Sequence, residues 1–174
     1  MATATEGEME VLSADPVMLQ SIVSAVESCL QMCGMEAKCV AVSTVPPHEI
    51  GSITGMIGVH GEVSGFVTVN MAERVATSAV GGLLQDKCDS LTPQVIDGVG
   101  EITNIIVGGI KKGLSNSKWC FSQTTVPSVI IGRNYQIAYA GGLSFLSATF
   151  EHESDDSFTL EDRLIQISLS LIQL

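Results

Sequence analysis

The 174-residue chain is predicted to be a single-domain α+β protein, with a mixed or antiparallel β-sheet and long helices packed on one face. The length suits one hydrophobic core rather than two. Two segments place apolar residues at helical spacing behind a capping residue and a proline, and most of the remainder breaks into β-branched blocks separated by glycines. No internal repeat or low-complexity linker interrupts this order.

The elements follow along the chain. Asp15 and Pro16 open a segment that runs to Cys33 with apolar residues at 19, 22, 23, 26 and 30; Gly34 closes it, which makes a capped amphipathic helix. Lys38 to Val45 is rich in β-branched residues, and Pro46-Pro47 bars a helix across the junction, so a strand and a turn are expected. Residues 51–71, GSITGMIGVHGEVSGFVTVNM, read as strands joined by a hairpin turn at Gly61-Glu62. Their glycines match neither GxxxxGK[ST] nor the dinucleotide fingerprint, and close backbone packing in a sheet accounts for them.

Ala72 to Gln85 is predicted helical, and a longer helix begins at Pro93 with Thr92 as its N-cap. After Ser115 come strand-like blocks at Trp119 to Thr125, Ser128 to Ile131, Tyr135 to Ala140 and Leu143 to Phe150, with Gly132, Asn134 and Gly141-Gly142 between the last three. His152 to Asp162 is polar and reads as a loop or ragged helix. The chain ends on Ile165, Ile167, Leu169 and Leu171 alternating with Gln166, Ser168 and Ser170, the pattern of a half-buried strand. So apolar a strand must pair with a sheet or with a second subunit.

Hydrophobic residues make up 45% of the chain, and the mean hydropathy is +0.37. A spanning helix needs roughly 20 mostly apolar residues, and here Glu101, Asn104, Lys111 and Lys112, or serines and glycines, cut every long apolar run. Met1 to Glu10 carries Glu6, Glu8 and Glu10 and no basic residue, unlike a secretory signal. A cytoplasmic chain with a disordered acidic tail over residues 1–13 and one domain over residues 14–174 is expected. Eight Lys and Arg against 19 Asp and Glu give a formal net charge of -11, which disfavours nucleic acid as a partner.

Five cysteines, at 29, 33, 39, 88 and 120, form no CxxC pair, and their odd number argues against a closed disulfide framework. Cys29 and Cys33 lie four apart on a helix with Cys39 nearby, so a metal or small-molecule site there is one alternative; core packing of the thiols is favoured and no metal ligand is assigned.

The chemistry concentrates in IDGVGEITNIIVGGIKKGLS. Asp97, Glu101 and Asn104 are spaced four and three apart and project from one helical face, which Gly108 and Lys111 continue. Val95, Val99, Ile102, Ile106 and Ile110 form the opposite face and anchor the helix. A carboxamide offers both a donor and an acceptor and can hold a water in line with an electrophilic phosphorus, while a carboxylate can hold a partner's lysine. With no nucleophile beside a histidine and no metal cluster, the contribution is positioning. ExxN alone often marks a solvated helix face. Asp-x3-Glu-x2-Asn is more restrictive, arising by chance in about one chain in fifty, and Lys111 and Lys112 suit a helix C-terminus without any partner.

In context these residues resemble the CheX family of chemotaxis phosphatases. The resemblance covers roughly residues 15–150: the glycine-punctuated hairpin through Gly65 to Met71, a helix ending near Gly81-Gly82, DGVGEITNIIVGGIKKGLS, and TVPSVIIGRNYQI at 125–137. It implies a phosphatase acting on the phosphoaspartate of a CheY-like response regulator in two-component signalling. Glu101 would contact the receiver's active-site lysine and Asn104 would align the attacking water. Asp97 and Gly108 would serve partner binding, and the receiver rather than this chain would supply Mg²⁺. CheC relatives usually carry two such helical motifs, whereas this chain has one, as in CheX. The resemblance also implies a homodimer that exchanges strands across its interface. A non-catalytic receiver-binding or scaffold module of the same fold is the alternative.

Overall fold

The computed structural model describes residues 14–46, 48–133, 135, 137, 141–153 and 159–174. Three helices cover one face of a seven-stranded antiparallel sheet, the α+β architecture read from the sequence. The acidic tail and the middle of the polar 152–162 segment lie outside the described residues; the end of that segment forms a 3-10 turn, Glu161–Arg163.

Helix α1, Pro16–Met32, starts where Asp15 predicts: its Oδ1 accepts from the amides of Val17 and Met18 at 3.0 and 3.2 Å. Strand β1, Ala37–Ser43, stops ahead of the prolines. Strands β2, Ile53–Gly61, and β3, Val63–Met71, form the expected hairpin with Gly61 and Glu62 at its tip. Helix α2, Glu73–Leu84, leads to α3, Pro93–Leu114, where Thr92 Oγ1 accepts from the Val95 amide at 3.3 Å. Strands β4, Phe121–Thr124, β5, Ser128–Ile131, β6, Ser144–His152, and β7, Leu164–Gln173, complete the sheet in the order β1-β6-β7-β3-β2-β4, with β5 also on β2.

Two expectations need correction. The strand expected over Tyr135 to Ala140 does not include Tyr135 or Ile137, which are not in regular structure, and the rest of that block lies outside the described residues. Tyr135 instead hydrogen-bonds through its hydroxyl to Thr54, a buried residue of β2. The C-terminal strand β7 is buried on both faces through most of its length rather than half-buried; of the two pairings expected for it, it takes the sheet, lying between β3 and β6 within the chain. Ser168 and Ser170 are as buried as Ile167 and Leu169, so the alternation reports which face each residue meets rather than which face is wet. β7 therefore offers no free edge to a second copy.

The core lies between the sheet and the helices. Ile57, Val67, Val69, Leu146, Ala148, Phe150, Ile167 and Leu169 point up from the strands and meet the apolar sides of α1, α2 and α3. Helix α3 is set hard against β2. A Cβ on Gly55 would fall on the hydroxyl of buried Thr103, which spends its own hydrogen on the Val99 carbonyl at 2.7 Å. Glycine at 55 thus permits a helix–sheet approach that any side chain would push apart.

Candidate active site on the third helix

The apolar side of α3 fixes the position of its other side. Val95, Val99, Ile102, Ile106 and Ile110 are each at most 1% exposed, and burying each is worth about 1.5–3 kcal/mol. With that side held, residues at offsets of four and three must point away from the core. Asp97, Glu101, Asn104 and Gly108 are accordingly exposed along one stripe.

None of the three polar side chains in the stripe makes a hydrogen bond or ion pair among the described residues. The helix N-terminus is served by Thr92, so Asp97 has no capping task. Lys111 leaves the stripe: its Nζ donates to the Ser122 carbonyl at 2.6 Å and ties the start of β4 to α3. Gly108 stands in open space, where a Cβ would meet nothing. Glycine in a helix interior costs about 0.5–1 kcal/mol relative to alanine, and nothing among the described residues requires it at 108.

The stripe lies on open surface. A cavity of about 510 Å³ lined by Asp15, Lys118, Trp119 and Phe145 includes none of its residues. Any enclosed reaction volume would have to be completed by a partner laid over α3. The groups on offer are two carboxylates and a carboxamide with both hydrogen-bonding senses free, which can orient a water and grip a cation. They supply no nucleophile and no metal cage.

The cysteines are spread between the core and the surface. Cys29 and Cys33 sit in the core, where the hydrogen bond between them and burial hold the Cys29 thiol well above its ordinary range. Cys39 is exposed on β1, and among the described residues no three His, Cys, Asp or Glu side chains are grouped to hold a metal.

Sequence reading missed the wall beside the stripe. Residues 122–128 run exposed along the Asn104 side of α3, and the Pro127 ring lies against Gly100, whose Cβ would sit 3.5 Å from Pro127 Cγ. The sequence signal was a proline between two strand-like blocks, which marks an edge or a bulge. No helix among the described residues is long and apolar enough to cross a membrane.

Residues 53–151, from β2 into β6, match the protein family described as Chemotaxis phosphatase CheX. Among solved structures, the chemotaxis protein CheX from Vibrio vulnificus is similar at a TM-score of 0.73 and 24% identity, over 88% of this chain and 98% of that one. A chain of the CheX-CheY-BeF3-Mg+2 complex from Borrelia burgdorferi is similar at 0.67 and 20%, over 90% and 96%. FliY from Thermotoga maritima is similar at 0.59 and 12%, over 93% and 92%. At these identities the structural likenesses establish the shared fold. No curated protein matches the sequence.

Proposed function

This chain belongs to the CheX family of chemotaxis phosphatases, and we propose that it hydrolyses the phosphoaspartate of a CheY-type response regulator from the open stripe of α3. The observation that carries this reading is that Glu101 and Asn104 are exposed on one firmly anchored helix with no partner among the described residues. An anchored helix that presents unengaged groups to a partner suits a reaction based on positioning.

In the proposed reaction Asn104 enters the receiver's pocket. Its carboxamide oxygen accepts from a water and its nitrogen donates toward the phosphoryl group. The water oxygen attacks phosphorus in line, the bond from phosphorus to the aspartyl oxygen breaks, and the electron pair remains on the restored carboxylate. The water's protons pass to phosphate and solvent. Glu101 pairs with the receiver's lysine and fixes the register of the two proteins. Mg²⁺, held by the receiver, offsets charge on the phosphoryl oxygens. Asp97 and Gly108 belong to the docking surface: the carboxylate flanks the pair at one end, and the glycine leaves room for a closely approaching backbone at the other.

The decisive measurement is phosphate release from a phosphorylated CheY-type receiver with Mg²⁺, for wild type, Asn104→Ala and Glu101→Gln. Acceleration by wild type, reduced on the order of 10²-fold in Asn104→Ala, is the expected result. Tight binding of the phosphorylated receiver without faster release would favour the non-catalytic scaffold. We also propose a homodimer through β1, which pairs only with β6 among the described residues and leaves Val40 and Val42 52% and 43% exposed. Sedimentation that returned only monomer at micromolar concentration would remove it.

A further inference from the structure

Strands β4 and β5 occupy one edge of the sheet, both antiparallel to β2. Thr124 pairs with Val59 and Ser128 with Met56, so Thr125, Val126 and Pro127 face only Ile57 and Gly58. Three residues opposite two is a β-bulge, a feature that re-aims a side chain out of the ladder.

The bulge is pinned on both sides. The Thr125 amide donates to the Gly58 carbonyl at 2.9 Å, and the Gly58 amide donates to Thr125 Oγ1 at 2.9 Å. The same hydroxyl donates to the Val126 carbonyl at 3.0 Å. Pro127 has a fixed φ and no amide hydrogen to leave unpaired, and its ring rests on Gly100 of α3. Between these anchors Val126 is held 81% exposed, the highest value among the large exposed apolar residues described.

Helical geometry places the bulge relative to the stripe. Gly100 is about 40° around α3 from Asn104 and about 100° from Glu101, so Val126 flanks the stripe on the Asn104 side. A specific docking footprint of about 800 Å² per partner extends roughly 16 Å from its centre. A receiver centred on Asn104 therefore covers Val126. Beyond the proposed pairing of Glu101 with the receiver's lysine, the net charge of -11 and the second carboxylate of the stripe add no attraction for the acidic pocket of a receiver.

We infer that Val126 is an apolar docking anchor for the activated receiver, setting how tightly the partner is held rather than how fast phosphate leaves. This rests on the proposed function, since the partner is the same receiver. Burying one valine side chain corresponds to about tenfold or more in affinity.

The test uses the full chain and the CheY-type receivers of the source organism, activated with beryllofluoride and Mg²⁺ for binding and phosphorylated for turnover. Val126→Ser and Val126→Asp are expected to raise Kd and KM about tenfold or more, with kcat at saturation within about twofold, while Val126→Ile retains wild-type values. Unchanged Kd and KM in both polar variants overturn the anchor, as does wild type that binds no activated receiver. Wild type that binds but does not accelerate release defeats the hydrolytic reading alone, because the Kd comparison still decides the role of Val126.

Discussion

Along α3, Ile102 and Ile106 are buried to 1% exposure, while Glu101 and Asn104, one residue before the first and two before the second, are exposed and bond to nothing among the described residues. The two faces of one helix thus carry separate duties. The buried face holds the helix in place, and the open face has no structural task among the described residues. Stability and the proposed chemistry should accordingly respond to different substitutions.

The largest effect on stability is expected on the buried face. Ile106→Ala removes a side chain from between helix and sheet and should cost about 2–5 kcal/mol in chemical denaturation. A cost below about 1 kcal/mol, smaller than a well-packed core site shows, would mean that α3 is not anchored there. On the open face the sign reverses at Gly108. Gly108→Ala should stabilise the fold by about 0.5–1 kcal/mol and weaken receiver binding, since the added methyl meets nothing among the described residues but occupies the space proposed for the partner. Stabilisation with unchanged binding would remove Gly108 from the docking surface. The smallest effects on stability belong to Glu101→Gln and Asn104→Ala, each within about 0.5 kcal/mol of wild type. If either unfolds the protein, the division between the faces fails, and any loss of phosphate release in that variant says nothing about chemistry.

Much of this division was legible in the sequence because a helix has a fixed period. Val95, Val99, Ile102, Ile106 and Ile110 were assigned to the core, and Asp97, Glu101, Asn104 and Gly108 to the opposite side, from spacing alone. Caps at Asp15 and Thr92 were legible for the same local reason: a short acceptor ahead of a proline serves amides a few residues away. Lys111 was not. Its spacing places it with the stripe, yet its side chain reaches across to Ser122, a contact between segments that no periodicity describes.

Strands were read less securely, since a period of two reports only that successive residues face opposite ways. Ile165 to Leu171 alternates cleanly, but its serines are buried because β7 is central. Tyr135 and Ile137 suggested a strand because aromatic and β-branched residues favour one, yet neither is in regular structure.

The sequence by itself determined the fold class, the helix boundaries and the polar stripe, because each depends on capping, turn chemistry and side-chain period within a few residues. Only the tertiary structure decided that β7 runs through the middle of the sheet, that Gly55 admits Thr103, and that Pro127 rests on Gly100 with Val126 held out in solvent next to it. Each of these depends on strand order and register between segments distant along the chain, and many pairings are compatible with the same local pattern until the core closes on one of them.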